Sequence, residues 1–330
     1  MADNVITSFG VLNYSGLLFN KGNTRTPFLT MIGGHQKVTN HVEFVTGQEY
    51  TGGGDGSQPA ISETASLTAP DATSVTRSQK TNVTQIFMES VYISYAKQSN
   101  MGTLAGINIA NQVANPMNEL DFQVNVKMQK IARDLEYTCI NGKFAKATGD
   151  GIANQTRGMV EAIETNVTDL GGKAITVNDI VAMMKKVHDS QAPTHGLILW
   201  ADSTTILQIN DDCKVNGLTV VPASRNVNGI DVSEIITPFG NVGVYLGECL
   251  PEGTALLLNF DVIAPVHQPV PGKGNFFMEK LAITGAGEKH QIFGQMGLDH
   301  GPEWYHGKIT GINTTFEPKA YSAVVKTISE

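Results

Sequence analysis

At 330 residues the chain is long enough for one large domain or two ordinary ones, with ample capacity to bury a core. Its 41% hydrophobic and 16% charged residues make a globular composition, and 34 glycines among many Thr and Asn point to β structure and loops rather than a helical bundle. A net charge of -8 and a pI near 5.5 argue against a general nucleic-acid coat, which needs a basic face.

Three cysteines, Cys139, Cys213 and Cys249, are too few and too scattered for a disulfide framework, so free thiols in a reducing compartment are expected. The opening residues lack the basic start and apolar run of a secretion signal. No window approaches the run of apolar residues that a spanning helix needs. The expectation is a protein made in the cytosol, with no membrane partner.

In chain order, Met1 to about Lys37 is polar and weakly periodic, apart from a short apolar plug, Thr26 to Gly34. Such a stretch suits an arm that docks on something already folded. From Val38 to Tyr50 the pattern alternates, with Val42, Phe44, Thr46 and Tyr50 on one side. A glycine-rich turn follows at 51–59, then a Thr-, Ser- and Ala-rich stretch, and Asn82 to Tyr95 resumes an extended pattern. Extended runs around a core-poor insertion predict a projecting β-arm, which is either disordered or packed on a neighbour.

Pro116 to Gly142 predicts a long helix of about 40 Å, with Asn115 and Pro116 as start signals and Asn141 and Gly142 as a stop. Leu120, Val124, Met128, Ile131, Leu135 and Cys139 step by three or four and predict its core face. A thinner apolar line, Phe122, Val126, Tyr137 and Ile140, lies opposite. That line fits either a loop-covered flank or a contact with another subunit.

Thr176 to Asp179 resembles a capping box at the start of a helix that Pro193 ends. Gly196 to Trp200 reads as a buried strand, and a second helix starts at Ser203. Strands are expected at Val215–Val221, Val232–Ile236, Asn241–Leu246 and Ala255–Val262, with a hairpin turn at Pro238 to Asn241. Residues 175–262 therefore predict a mixed α/β subdomain. Later strands at Phe276–Thr284, His290–Met296 and Lys308–Phe316 are expected to form a sheet beside the long helix.

Chemical motifs are missing. Pro271 to Asn275 lacks the strand and helix that a phosphate loop needs, so it reads as a hairpin tip. No G-x-S-x-G elbow occurs. His290, His300, Glu303 and His306 are metal-capable types, but Pro302 breaks the helix that would present them, which leaves a surface or interface loop. Asp211 and Asp212 read as capping or solvating a helix end. No catalytic, cofactor-binding or metal residue is assigned.

The order of these parts resembles a tailed-bacteriophage major capsid protein of the Hong Kong 97 type. Four stretches are similar to the family typified by the capsid protein of an elongated-head podophage: Thr26–Gly33, Lys80–Phe87, Ile131–Tyr137 before Asn141, and Ile236–Val244 before Leu250. The resemblance implies an α+β capsid fold with an N-terminal arm at 1–37 and an extended β-hairpin, the E-loop, at 38–95. A peripheral domain with a spine helix (116–142) would span 96–174, an axial domain 175–262, and returning peripheral strands 263–330.

It implies a non-enzymatic virion protein that assembles as pentamers and hexamers into an icosahedral or prolate shell around double-stranded DNA, bound without sequence specificity. A portal and decoration proteins are implied as further partners, together with either a separate scaffolding protein or no scaffold at all. A non-viral nanocompartment shell of encapsulin type is the alternative, and an α/β enzyme or ligand-binding protein the more distant one. Tyr50, Gly53 and Asp55 on the excursion, with Phe122, Val126, Tyr137 and Ile140 on the helix, are the residues expected at contacts between subunits. Some relatives cross-link subunits through lysine; Lys80 lies on the excursion, but no motif identifies partners for it.

Overall fold

The computed structural model describes residues 25–50, 56, 58–72, 74–95, 119–215, 221–227 and 230–318. Helix α1 (Pro27–Ile32) leads through a 3-10 turn (Gly33–His35) into β1 (Lys37–Val38). Strands β2 (Glu43–Tyr50) and β3 (Arg77–Val83) form an antiparallel hairpin with one helical turn, α2 (Glu63–Ser66), between them. β4 (Gln85–Ser94) precedes the long helix α3 (Glu119–Asn141), α4 (Met159–Ala162) and β5 (Val167–Lys173). Next come α5 (Val177–Asp189), β6 (Leu197–Ala201), α6 (Ser203–Val215), β7 (Val221–Val227), β8 (Ile230–Thr237) and β9 (Gly240–Leu246). The chain returns through β10 (Ala255–Asn259), β11 (Ala264–His267), β12 (Phe276–Lys280), β13 (Gly287–Asp299) and β14 (Gly307–Ile312).

Two sheets carry the body. One has five strands, with the long β13 paired to β11, β12 and β4, and β1 at the β11 edge. The other has seven, in the order β5-β14-β10-β6-β9-β8-β7. Every residue of β6 and β10 is buried, so these central strands read as continuous apolar runs rather than alternating ones. Their side chains divide by parity. Ile198, Trp200, Leu256 and Leu258 face a core shared with α3 and the five-stranded sheet. Leu197, Leu199, Ala255 and Leu257 face a second core, where α5 contributes Ile180, Met183, Met184 and Val187.

The capping box at the start of α5 is present: the Thr176 side chain accepts from Asp179 N–H, and Asp179 accepts from Thr176 N–H. The turn at Pro238 and Phe239 joins β8 to β9 with Thr237 paired to Gly240, as the sequence predicts. Asp212 does cap a helix, but not its own: its carboxylate accepts from Val177 N–H at the start of α5, 2.9 Å away.

Several expectations change. The strand expected at Val215–Val221 is not one element: Val215 ends α6, residues 216–220 lie outside the described set, and β7 starts at Val221. β14 joins β10 and β5 in the seven-stranded sheet instead of lying beside the long helix. The extended run 82–95 also divides. The hairpin's return strand is β3, whereas β4 pairs along most of β13 in the body. Asn115 and Pro116 lie outside the described residues, so the start of α3 is described from Glu119.

Gly142 does stop α3, but for a different reason than a left-handed cap. Its φ is not positive, and its N–H donates to Thr138 O as in helix. A Cβ there would lie 2.4 Å from Thr156 O, because the backbone of Gly158 crosses at that point and donates to Gly142 O. Close approach of two backbones demands the glycine.

The apolar plug becomes α1. Phe28, Met31 and Ile32 are buried in the first core, with the Phe28 ring 5.7 Å from Trp200 and 5.5 Å from Phe260. Glu136 of α3, fully buried, accepts from the N–H groups of Phe28 and Leu29, each at 2.9 Å. These are first-turn amides with no partner inside the helix. Burial pushes the Glu136 carboxyl up to about 7, against the lowering effect of those two amides and with a further push from Glu248.

A carboxyl that binds its proton more tightly folded than unfolded destabilises the fold as it ionises. The contribution of Glu136 to stability is therefore expected to fall, by about 3 kcal/mol at most, as pH rises from about 4.5 to about 7. The buried His306, whose imidazole is lowered to about 4, contributes a slope of opposite sign, so the Glu136 part is read as a difference. In urea denaturation of the unassembled subunit across that range, the parent should lose stability relative to Glu136→Gln as pH rises.

Candidate assembly surface

Among the described residues the projecting hairpin buries nothing beyond its base. Residues 56, 58–72 and 74–79 are all exposed. Among them Ile61, Leu67 and Val75 are large and apolar, and Tyr50 at the end of β2 is 72% exposed, Leu67 83%. Ser62 caps α2 through Ala65 N–H, which organises the segment locally without giving it a core. Exposed apolar side chains carried on a two-stranded ribbon lack the burial that stabilises an independent sheet. Of the expected contact residues here, Tyr50 is exposed as required, while Gly53 and Asp55 lie outside the described residues.

The base, by contrast, is pinned. Lys80 pairs with Glu164 at 2.9 Å and Lys146 with Glu43 at 2.5 Å. Asn82 is buried, donates to Leu298 O at 2.7 Å, and accepts from Arg157 N–H at 2.8 Å. Such polar ties satisfy both strands where they enter the body.

Helix α3, about 35 Å long by its 23 residues, divides along its length. Its C-terminal half is core: Ile131, Leu135, Cys139 and Ile140 are buried. Its N-terminal half lies over β4, where Lys127 and Lys130 both pair with Glu89. Burial raises the Glu89 carboxyl, but the two ammonium groups outweigh it and hold the carboxyl below its usual range.

Of the second apolar line, Val126 is 40% exposed, Tyr137 58%, and Phe122 is half-buried. Ile140 is a correction: it is fully buried in the first core and presents nothing to a neighbour. Near its C-terminus α3 is enclosed on the face that is open further up. Met128, placed on the core face by its spacing, is 41% exposed, whereas Val124 and Ile131 on the same face pack on the first core.

Ile86, Met88 and Tyr92, which the sequence did not single out, form a further exposed row on β4. Phe87, Val91 and Ile93 alternate with them and are buried, so the period-two signal was present, but which side was covered was not.

The histidine cluster is no surface loop. His300 and His306 are fully buried and Glu303 nearly so. His306 Nδ1 accepts from Asn259 N–H, so Nε2 carries the proton and donates to His300 O at 2.8 Å. Burial lowers the His306 imidazole to about 4, which matches a neutral ring. Burial also raises the Glu303 carboxyl, but the Thr165 hydroxyl and the Thr165 and Glu164 amides overcome that. Both nitrogens of His306 and both oxygens of Glu303 are spent on internal hydrogen bonds, whereas His300 uses only Nδ1, towards Gly301 O. Among the described residues no cluster of metal-ligating side chains occurs, and no helix is long and apolar enough to cross a membrane.

A spine helix on a five-stranded sheet, a seven-stranded α/β unit and an unburied hairpin together define a shell subunit of the Hong Kong 97 type. The capsid of cyanophage A-1(L) has this fold, with a TM-score of 0.62 at 11% identity over 90% of this chain and 95% of that one. So has the capsid of Myoviridae phage XM1, at 0.57 and 11% over 94% and 100%. The holo-SrpI encapsulin complex from Synechococcus elongatus PCC 7942 gives 0.58 and 12% over 87% and 88%, so the fold alone does not separate phage shell from encapsulin.

The family does: residues 2–313 match the SU10 major capsid protein model, and the chain belongs to that family. It is a phage major capsid protein, a non-enzymatic component of the virion whose copies build an icosahedral shell. No curated protein sequence matches it.

The split within the second apolar line has a measurable consequence. Ile140→Ala should destabilise the subunit by about 2–5 kcal/mol in chemical denaturation, as a buried truncation does. Tyr137→Ser should change it by about 0.5 kcal/mol or less, as an exposed substitution does.

Proposed function

We propose that copies of this chain assemble as pentamers and hexamers into an icosahedral or prolate shell, of the kind that the elongated-head podophage family builds, and that the shell encloses double-stranded DNA. In this reading the hairpin is the arm that reaches across to the next subunit. Tyr50, Leu67 and the segment containing Gly53 and Asp55 meet the neighbour, and the open line Phe122, Val126 and Tyr137 of α3 receives them. The observation that carries it is the continuous exposure of residues 58–72 and 74–79. A segment of that length with large apolar side chains and no burial of its own gains stability from a partner surface.

The acidic chain supports DNA packaged without sequence-specific binding, since a strongly basic wall would hold DNA tightly through counterion release. A portal and decoration proteins are further partners in this reading, with a separate scaffolding protein where assembly needs one.

The double variant Tyr50→Ser with Leu67→Ser is expected to fold like the parent, within about 0.5 kcal/mol, and to yield free subunits or capsomers in place of shells. Val126→Ser with Tyr137→Ser should act in the same direction. Electron microscopy and sedimentation of the assembly products decide this, and closed shells at parental yield would overturn the arm reading. Nuclease-protected DNA in the particles is the expected content.

A further inference from the structure

The hairpin enters the body at one carboxylate. Asp299 ends β13 and is buried. Its Oδ1 accepts from the Thr46 hydroxyl at 2.5 Å and from Gly301 N–H at 3.0 Å, while its Oδ2 lies 2.6 Å from Lys37 Nζ. Thr46, itself buried, belongs to β2, and Lys37 belongs to β1, which follows α1. One side chain thus holds both the strand that starts the hairpin and the segment that precedes it.

The next residue, Gly47, is where the strand changes course. Pairing steps from Thr46 opposite Lys80 to Gln48 opposite Gln79, which leaves Gly47 as an extra residue. An extra residue of this kind bends its strand and increases the local twist. Gly47 has φ +58°, and a Cβ on it would lie 2.8 Å from Gly301 O. The bulge is therefore seated on the turn that Asp299 organises through Gly301 N–H, and a glycine is required both for the backbone and for the space.

Leverage makes this joint matter. The four residue steps from Thr46 to Tyr50 span about 13 Å of strand, so a swing of roughly 10° at the joint displaces Tyr50 by about 2 Å. Packed contact does not survive a gap of that size.

We propose that Asp299 is a positioning residue for shell assembly: through Thr46 and the Gly47 bulge it sets the direction in which the hairpin leaves the body. The proposal rests on the reading of the hairpin as an inter-subunit arm. Asp299 touches no neighbour in this scheme and acts through the strand it holds. The carboxylate suits the task because each oxygen serves a different segment, with a charge-assisted bond on the Lys37 side. Asparagine retains the acceptor for Thr46 and Gly301 but loses the Lys37 pair, whereas Thr46→Val removes the hairpin's own bond at nearly constant volume.

The test uses the full-length chain with Thr46→Val, Asp299→Asn and Gly47→Ala made separately. Spin labels at Ser66→Cys and Glu279→Cys report the distance from hairpin to body in the unassembled subunit, and particle yield is counted by electron microscopy. Each variant is expected to keep the parental far-UV spectrum, broaden the distance distribution, and give about tenfold fewer uniform closed shells, equivalent to ~1.4 kcal/mol. An unchanged distribution and parental yield in folded Thr46→Val would overturn the proposal, whatever the other two variants do.

Tyr50→Ser with Leu67→Ser, which leaves the joint intact, separates the two levels. If that pair blocks assembly while Thr46→Val does not, the positioning role fails alone. If that pair assembles normally, the arm reading fails and takes the positioning role with it.

Discussion

The contact on which the body depends is the seat of α1 on α3. Two first-turn amides meet the two oxygens of Glu136, and the Phe28 ring that this orientation delivers enters an aromatic cluster with Trp200 and Phe260. The cluster lies in the core where the five-stranded sheet, the seven-stranded sheet and α3 converge. A buried carboxylate is costly unless hydrogen-bonded, and here its partners are amides that would otherwise be orphans. One interaction settles both costs, and it does so at the point where a six-residue helix would not persist by itself. The raised carboxyl shows that the compensation is partial.

Around that seat the molecule divides into a part that is complete and a part that is not. The central strands β6 and β10 are buried on both faces, and the buried Glu303 and His306 at the turn before β14 are spent on internal hydrogen bonds. The hairpin beyond Gly47 is the opposite, with apolar side chains in water and a polar clamp only at its root. A shell subunit gains from this division. In the proposed assembly the buried body and the open hairpin have separate roles, and the hairpin is the surface that a neighbour covers.

Much of this was legible in local sequence signals. The capping box at Thr176, the buried strand at Leu197 to Ala201 and the two-residue turn at Pro238 are each governed by residues close together in the chain. The exposure of the excursion was legible as well, because its composition offers too little to bury. The errors share another cause. Ile140 and Met128 lie on faces that helical spacing assigns correctly as faces, yet burial does not follow either face along the whole of α3: Ile140 is enclosed and Met128 is open. The strand expected in the arm at 82–95 became β4 because β13 lies alongside it, some two hundred residues away in the chain.

The histidine cluster makes the same point for chemistry. Its residue types and glycine-rich surroundings suggest an exposed loop, and the fold turns it inward, where every ring must be neutral or paired. By itself the sequence determined the helix and strand periods, the turns, the caps, the acidic balance and the presence of an excursion without a core. These follow from torsional preference and side-chain chemistry within a few residues. Only the tertiary structure decided which face of α3 is closed at each end, which sheet each returning strand joins, and which carboxylate holds the root of the hairpin. Those outcomes depend on long-range packing, where burial is shared among segments that no local pattern connects.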